Sequence, residues 1–364
     1  MRITTADADD TTRARFHAAL ARGDLATWSY DGAYADAAAD PKTLLPGACA
    51  VVCVAFAYAR PAPAERRGRG RVSNYAWSRD YHRRVRRALD HIAAAIDGLA
   101  GGPATKVACD TAPLAERAFA ARAGLGWIGK HTSLIVKGLG PSVFLGEIVT
   151  TLPLAPDVPL RTSCGSCTRC IDVCPTGALR GDGTMDATRC ISDLTQRRDA
   201  IPRAMRPLVG AWVWGCDLCN TVCPPQRRAG YSGGAESDPV ERDVAAPDLL
   251  GLLRTRGRAF RERFGATGMG WLGAHVLRRN AAVALGNEGD RAAVPDLAEA
   301  LASDTSALVR GHAAWALGRI ASPRALGALR AAAELEADSL VREEIAAALE
   351  PPAGAAAFHL RRHV

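Results

Sequence analysis

The sequence predicts a multidomain α+β protein in three parts, and one observation supports each part. Strand-like and helical segments alternate in the first part, residues 1–155. Cysteines concentrate in the second part, residues 156–235, and an Ala/Leu-rich pattern recurs every 32 residues in the third, residues 236–364. We therefore expect an α/β domain, a small metal-binding domain and, after a linker, a helical repeat.

The composition is that of a protein with well-packed domains and no membrane partner. The chain of 364 residues is 48% hydrophobic and 23% charged, and no apolar run approaches the ~18 residues that a membrane span needs. Its first residues, MRITTADADD, lack the apolar core of a secretory signal, so we expect a cytoplasmic protein. The net charge of +8 favours a polyanionic partner, although an Arg-rich composition alone produces the same balance.

The first part alternates strands and helices. Apolar, β-branched runs bounded by Gly or Pro predict strands, and apolar residues at helical spacing predict helices. The helix over 79–99 has a very basic outer face, and the next helix has Pro113 in its first turn and Gly124 after its last. We expect strands at 48–58, 106–110, 134–136 and 143–149 and helices at 79–99 and 111–123.

The second part carries two cysteine runs, CGSCTRCIDVCP from Cys164 and CDLCNTVCP from Cys216. The spacing C-x2-C-x2-C-x3-C-P is that of bacterial two-cluster ferredoxins, in which the fourth cysteine ligates the other cluster. With the isolated Cys190, eight thiols serve two 4Fe-4S clusters: Cys164, Cys167, Cys170 and Cys223 for one, and Cys174, Cys190, Cys216 and Cys219 for the other. Zinc is the alternative, since it also binds C-x2-C pairs.

The other cysteines and the third part are structural. Cys49, Cys53 and Cys109 stand in apolar surroundings, so we expect buried, inert thiols. A glycine- and serine-rich loop over 229–239 precedes the repeat. Arg278, Arg310 and Arg342 recur in step with the phrases AAVALGN, AAWALGR and AAALEPP, a pattern typical of HEAT-like α-solenoids. So short a repeat caps the preceding domain.

Asp110 is the leading candidate for a chemical group outside the clusters. It follows an apolar strand and precedes a helix, a common place for active-site residues in open α/β sheets. A helix N-cap is the structural alternative. His82 and His131 are candidate ligands or acid–base groups, but His82 lies on the basic helix face, where we expect it to be solvated. The glycines before Lys130 fit no phosphate-binding motif and indicate turns.

Several motifs together make the chain resemble the epoxyqueuosine reductases over most of its length. These are DTAPLAERAFAARAGLGWIGKHTSLI, FLGEI, CGSCTRCIDVCPTGAL, RCIS, GCDLCNTVCP and the HEAT-like tail. The resemblance implies an α/β cobalamin-binding domain beside the two-cluster domain. It also implies reduction of epoxyqueuosine to queuosine at the wobble position of tRNA, with electrons passing through the clusters to cobalamin.

The resemblance also implies roles for individual residues. Asp110, in the D-[ST]-A-P motif, would be the proton donor, and we expect a desolvated pocket to keep it protonated. The residues that would contact cobalamin are Ser73, Asp110, Leu134, Leu145, Ser192, Cys216 and Asp217. The motif D-x-H-x-x-G of histidine-ligated cobalamin is absent, which agrees with a base-off cofactor. An arginine that the family often carries before LLPG has no counterpart here.

The expected partners follow from this reading. They are the anticodon stem-loop of a tRNA and an external electron donor, and we expect a monomer. Candidate phosphate contacts are Arg79, Arg83, Arg84, Arg86, Arg87, Arg197, Arg198, Arg227, Arg228, Arg278, Arg279 and Arg310. Two alternatives stay open: a cobalamin-dependent reductase of a small molecule, as in the reductive dehalogenases, and an iron–sulfur electron-transfer protein without its own chemistry.

Overall fold

A computed structural model describes residues 1–26, 28–231, 240 and 242–350. Its strands are β1 (Arg2–Thr5), β2 (Ala50–Ala57), β3 (Arg71–Val72), β4 (Thr105–Ala108), β5 (Gly126–Ile128), β6 (Leu134–Val136), β7 (Val143–Thr150) and β8 (Trp212–Trp214). The main sheet has the order β1-β2-β7-β4, and each neighbouring pair is antiparallel. β5 and β6 form an antiparallel pair, and β3 and β8 a parallel one.

The helices of the first part cover both faces of the main sheet. They are α1 (Asp10–Ala21), α2 (Gly32–Ala38), α3 (Tyr81–Ala100) and α4 (Glu116–Arg122). α3 buries Val85, Leu89 and Ile96 against one face of the sheet, and α4 buries Phe119 against the other. The Asp80 side chain caps the start of α3, and Gly101 ends it in the left-handed conformation, φ 75°.

Short helices fill the cysteine-rich part. They are α5 (Arg169–Val173), α6 (Ile191–Gln196), α7 (Arg206–Val209), α8 (Leu218–Thr221) and α9 (Pro224–Ala229). α5 and α8 pack together, so the two cysteine runs lie against each other although about fifty residues separate them. Most of the predicted glycine- and serine-rich loop, residues 232–239, lies outside the described residues.

The helical repeat begins at Ala274, and the spacing of its helices confirms the predicted period. Three short helices lead to it: α10 (Arg242–Ala245), α11 (Leu249–Arg254) and α12 (Gly257–Phe264). The repeat itself consists of α13 (Ala274–Glu288), α14 (Val294–Ser303), α15 (Ala307–Ile320), α16 (Pro323–Ala333) and α17 (Ser339–Leu349). One apolar core runs from Val72 and Trp214 through α13 to Ile345, so the repeat shares its interior with the cysteine-rich part. The role of the repeat as a cap on the preceding domain stays a prediction.

The structure corrects four expectations about the fold. The main sheet is antiparallel, so the first part is not of the parallel α/β type that the alternation suggested. Pro113 precedes α4 and is not in its first turn. The Cys49 thiol belongs to an exposed residue, whereas Cys53 and Cys109 are buried as predicted. Several arginines proposed as phosphate contacts are buried in the interior.

Internal hydrogen bonds occupy these arginines. Arg197 is buried in an ion pair with Asp193. Arg278 and Arg279 are buried in the first repeat helix, and Arg310 pairs with Glu336. These side chains hold the repeat together and are not available to RNA phosphates. No helix in the described part of the chain is long and apolar enough to cross a membrane.

Candidate functional site

Asp110 lies just beyond the end of β4, on the loop that leads to α4. Its backbone is in the left-handed region, φ 57°, which few non-glycine residues adopt without support. The support is a hydrogen bond from the Asp110 backbone N–H to the Glu116 carboxylate. Because α4 begins at Glu116 and its N-cap is Ala115, the alternative that Asp110 caps this helix is wrong.

The Asp110 side chain reaches across to the first turn of α3. Its Oδ2 lies 3.0 Å from Nε2 of His82, and Nδ1 of His82 lies 2.5 Å from Oδ1 of Asp80. These contacts with Asp110 and then Asp80 raise the pKa of His82 to about 10, so the imidazolium donates to both carboxylates at neutral pH. The expectation of a merely solvated His82 is wrong. The signal that existed was the D-x-H spacing of Asp80 and His82 at a helix start.

Solvent reaches this group of three residues. The Asp110 side chain is 56% exposed, so the chain alone does not provide the desolvated surroundings expected for it. The exposed carboxyl is open to a ligand, while His82 behind it is half-buried. The arrangement places a protonated imidazole within one hydrogen bond of an accessible carboxyl group.

A buried pair of carboxyl groups lies beneath the Asp110 loop. Glu147 on β7 faces Ala108 across the sheet and is fully buried, and neither of its side-chain oxygens has a hydrogen-bond donor. Its neighbour is Glu116, which accepts the Asp110 N–H. Burial and then the Glu116 charge raise the pKa of Glu147 far above its ordinary range. The raised pKa favours a protonated Glu147, which has a hydrogen-bond donor to offer Glu116, and sequence reasoning missed this pair.

The cysteine-rich part supplies the facing wall of the site. Ser73 donates its hydroxyl to Asp217 Oδ1 at 2.6 Å, and the Asn74 backbone N–H donates to Asp217 Oδ2 at 2.6 Å. Ser192 accepts a hydrogen bond from Gln196, whose own oxygen accepts one from the Tyr75 hydroxyl. The structure therefore brings the predicted residues Ser73, Ser192, Cys216 and Asp217 into one region.

Tyr75 connects the two walls. Burial raises the pKa of its phenol, and the charges of both Asp217 and Asp110 raise it further. Tyr75 thus lies within electrostatic range of the carboxylate on each side. The region around the half-buried Tyr75 is the candidate pocket. A small cavity there is lined in part by Asn74, Trp77 and Phe144.

Two other predicted contacts lie deeper. Leu134 on β6 and Leu145 on β7 are buried in the core that packs against α4. The Leu145 carbonyl accepts a weak hydrogen bond from the Cys109 thiol at 3.7 Å. Their side chains serve packing, so a cofactor contact from either would come from the backbone and stays a prediction.

The cluster cysteines influence one another's ionisation. Burial, together with the charges of Cys164, Cys170 and Cys167, raises the pKa of the Cys223 thiol to about 11. Burial likewise raises the pKa of Cys216, and Cys219 and Cys190 add to it. Burial also raises the pKa of Cys219, on which both Cys170 and Cys174 act although the predicted sets place these two apart. The division of the eight thiols between two clusters therefore stays a prediction.

Zinc, the alternative, would need its ligands close around a single ion. Within the described residues, no three His, Cys, Asp or Glu side chains approach closely enough to hold a single metal ion. Thiolates around one zinc ion lie about 2.3 Å from it and nearly touch one another, whereas a four-iron cluster holds its thiolates further apart.

The remaining candidates, His131 and Lys130, have structural roles. Burial lowers the pKa of His131 to about 4, and its Nδ1 accepts the Ser133 N–H at 3.2 Å, so the ring is neutral. Lys130 donates to the Gly165 carbonyl at 2.9 Å and thereby ties its turn to the first cysteine run. Neither residue contacts Asp110 or His82.

Comparison with known families agrees with this division of the chain. Residues 39–111 match the family described as "Epoxyqueuosine reductase QueG, DUF1730", and residues 163–226 match a 4Fe-4S double cluster binding domain. Residues 274–350 match HEAT repeats.

Individual relatives are similar over most of the chain. The epoxyqueuosine reductase of Bacillus cereus is 38% identical over 316 residues, which cover 85% of this chain and 83% of that protein. An epoxyqueuosine reductase crystallised with an epoxyqueuosine-modified tRNA-Tyr stem-loop is 36% identical, with a TM-score of 0.89 over 96% of this chain and 93% of that one. A Bacillus subtilis structure, 34% identical with a TM-score of 0.87 over the same shares, has its catalytic aspartate loop swung out of the active site.

Proposed function

This chain belongs to the epoxyqueuosine reductase family, and we propose that it reduces the epoxide of epoxyqueuosine in the wobble position of tRNA to the alkene of queuosine. The observation that carries the proposal is the Asp110–His82 pair, which faces a wall built from residues next to the cluster cysteines. An accessible acid group thus lies beside a segment built to deliver electrons. Reducing an epoxide to an alkene and water consumes two electrons and two protons. The site therefore needs a source of electrons and a source of protons close together.

The cysteine groups are proposed to hold two 4Fe-4S clusters. Cys164, Cys167, Cys170 and Cys223 would hold the first, and Cys174, Cys190, Cys216 and Cys219 the second. The loop over 163–169 lines an open surface depression together with Pro224, so the first cluster would lie near the surface, where an external electron donor docks. Cys190 stands two residues before the pocket residue Ser192, and Cys216 stands directly before Asp217, so the second cluster would lie next to the substrate.

The pocket residues fit a base-off cobalamin. The Asn74 side-chain oxygen is buried without a partner, and it lies beside Ser73 and Asp217, so amide donors at the corrin edge would satisfy it. Asp110 would also contact the cofactor. Both ring nitrogens of His82 are hydrogen-bonded to carboxylates, which leaves neither for cobalt. When bound, cobalamin and the clusters supply the two electrons of the reaction.

Asp110 and His82 would supply the proton that opening of the epoxide demands. The oxygen released from the epoxide carbon develops alkoxide character and needs a proton, which would pass through Asp110, the exposed member of the pair. His82, protonated and 3.0 Å behind, would give that proton to the Asp110 carboxylate along the hydrogen bond. Solvent, which reaches these residues, would reprotonate His82 and so supply the second proton. Asp80 fixes the ring orientation through Nδ1 and keeps the imidazole charged.

The carboxyl pair beneath the loop would hold Asp110 in place. Glu116 binds the Asp110 N–H while Glu147 shares its proton with Glu116, so the left-handed backbone at Asp110 is stabilised from below. Exposed arginines on α3 and α9 would meet the RNA backbone; these are Arg83, Arg86, Arg87, Arg227 and Arg228. Such contacts bind the stem-loop as one polyanion, and the enzyme is proposed to act as a monomer.

Complementation tests the proposed function in cells. A bacterial strain without its own epoxyqueuosine reductase accumulates epoxyqueuosine in its tRNA, and expression of this chain should replace it with queuosine. The Asp110→Ala variant, expressed at the same level, should leave epoxyqueuosine in place. Nucleoside mass spectrometry of total tRNA measures epoxyqueuosine and queuosine in both cases. Persistence of epoxyqueuosine with the wild-type chain would refute the proposal.

A further inference from the structure

Three large aromatic side chains form an exposed patch on the surface. Trp28, Tyr30 and Trp271 are 43%, 36% and 50% exposed. The rings of Trp28 and Tyr30 are nearly parallel, with centroids 6.3 Å apart, and the Trp28 and Trp271 centroids are 6.1 Å apart. These exposed rings come from segments more than 200 residues apart in the sequence and leave a contiguous apolar surface in contact with water. Such a surface often marks a binding site.

One end of the aromatic patch reaches the Asp110 loop. The Tyr30 ring lies 4.4 Å from the ring of Tyr34, and the negative charge of Asp110 acts on both phenols. Phe16 on α1 packs edge-on against Tyr30 and Tyr34 and holds them in place. The Tyr30 end of the patch is therefore packed against α1 and lies within electrostatic range of the proposed proton donor.

The other end reaches the facing wall of the pocket. Trp271 meets Trp214 edge-on, with centroids 6.2 Å apart, and the Trp214 indole N–H donates to the Tyr75 hydroxyl at 2.7 Å. The exposed Arg198 guanidinium lies 5.8 Å from the Trp271 ring centroid. Aromatic faces with an adjoining arginine are the surface that single-stranded nucleic acid prefers.

We propose that Trp28, Tyr30 and Trp271 form a platform on which unpaired bases of the anticodon loop stack while the modified base enters the pocket. The inference rests on the proposed function and names the part of the RNA that this surface receives. A base can reach Asp110 only if it leaves the loop stack, so its neighbours lose stacking partners. Exposed rings at the edge of the pocket replace those partners for any base, and Arg198 supplies a positive charge for the adjoining phosphate.

The test measures RNA binding and turnover separately. An unmodified anticodon stem-loop should bind Trp28→Ala and Trp271→Ala about tenfold more weakly than the wild-type enzyme. Trp28→Phe keeps an aromatic face and should bind within about twofold. Leu340→Ala removes an exposed apolar side chain from the repeat and serves as the control with unchanged binding. Each variant should reduce the free epoxyqueuosine nucleoside at the wild-type rate, because the nucleoside has no flanking bases.

The outcomes separate this inference from the proposed function. Unchanged stem-loop affinity in both alanine variants would overturn the platform. So would unchanged RNA affinity combined with weaker binding of a flavodoxin or ferredoxin electron donor, which would assign the patch to a protein partner. Weaker stem-loop binding in the alanine variants, with a wild-type enzyme that does not reduce epoxyqueuosine, would support the platform and refute the proposed function instead.

Discussion

Replacing Arg279 tests whether the repeat supports the cluster segment. The guanidinium is fully buried and donates five hydrogen bonds at 2.6–3.2 Å; the acceptors are the carbonyls of Leu194, Thr195, Arg197 and Asp199 and the side chain of Asn280. These carbonyls end and follow α6, the helix that starts directly after Cys190. Arg279→Met removes this donor from every one of these carbonyls, of which, among the described residues, only the Thr195 carbonyl keeps a second donor, the Asn280 amide. Loss of such a buried charged group costs about 3–5 kcal/mol.

That loss has two measurable consequences. At the average unfolding entropy per residue, it lowers the thermal unfolding midpoint of this chain by about 5 °C. Because the segment after Cys190 loosens, the purified protein should also hold less iron. Arg324→Met, at an exposed position of α16, is the matched control and should change stability by less than about 0.5 kcal/mol. A wild-type midpoint and full iron content in Arg279→Met would refute the reasoning.

Three further predictions address the site. Because its pKa is raised to about 10, His82 keeps its charge until the pH rises through that value. Asp80→Asn removes one of the two carboxylates responsible and should move the alkaline limb of the pH–rate profile to lower pH. An alkaline limb that does not move would contradict the proton relay. Burial raises the pKa of Glu147, so folded protein keeps a proton that the unfolded chain loses above pH about 4, and this group's contribution to stability falls as the pH rises. Glu147→Gln should therefore unfold at a higher temperature relative to wild type at pH 8 than at pH 5, and an identical pH dependence would argue against a shared proton. Cys190→Ser should lose the iron of one cluster, measured by iron analysis and electron paramagnetic resonance after anaerobic reconstitution, whereas Cys49→Ser should lose none.

Local patterns predicted the elements well. The strand over Leu134–Val136 lies where its apolar run indicated, and the helix predicted over 79–99 is observed as Tyr81–Ala100. The cysteine spacing predicted the double-cluster domain that the family comparison finds over residues 163–226, because cluster geometry restricts that spacing closely. The repeat was visible as a period in the sequence. All these signals are contained within a few turns or strands of chain.

Contacts between distant segments were not predictable in this way. His82 and Asp110 are 28 residues apart, and their pairing depends on how α3 lies along β4. Glu147 occupies a strand position where a carboxyl group is unusual, and only its neighbour Glu116 explains it. Arg279 looked like a surface charge, since arginine is rarely buried without partners, and its acceptors come from a different part of the chain.

The antiparallel order of the main sheet was likewise hidden. Strands that alternate with helices predict a parallel sheet when each helix crosses over between neighbours. Here β7 inserts between β2 and β4 and runs antiparallel to both. Asp110 therefore owes its position to the loop after β4 and the carboxyl pair below it.

A single-turnover experiment tests the central claim most directly. The enzyme, reconstituted anaerobically with iron, sulfide and cobalamin and reduced with a low-potential donor, is mixed with tRNA that carries epoxyqueuosine. Nucleoside mass spectrometry then follows both modified bases over time. We predict that queuosine appears as epoxyqueuosine disappears, one for one, and that Asp110→Asn binds the same RNA but forms no queuosine. Epoxyqueuosine that persists with the wild-type enzyme, or equal turnover by Asp110→Asn, would contradict the account.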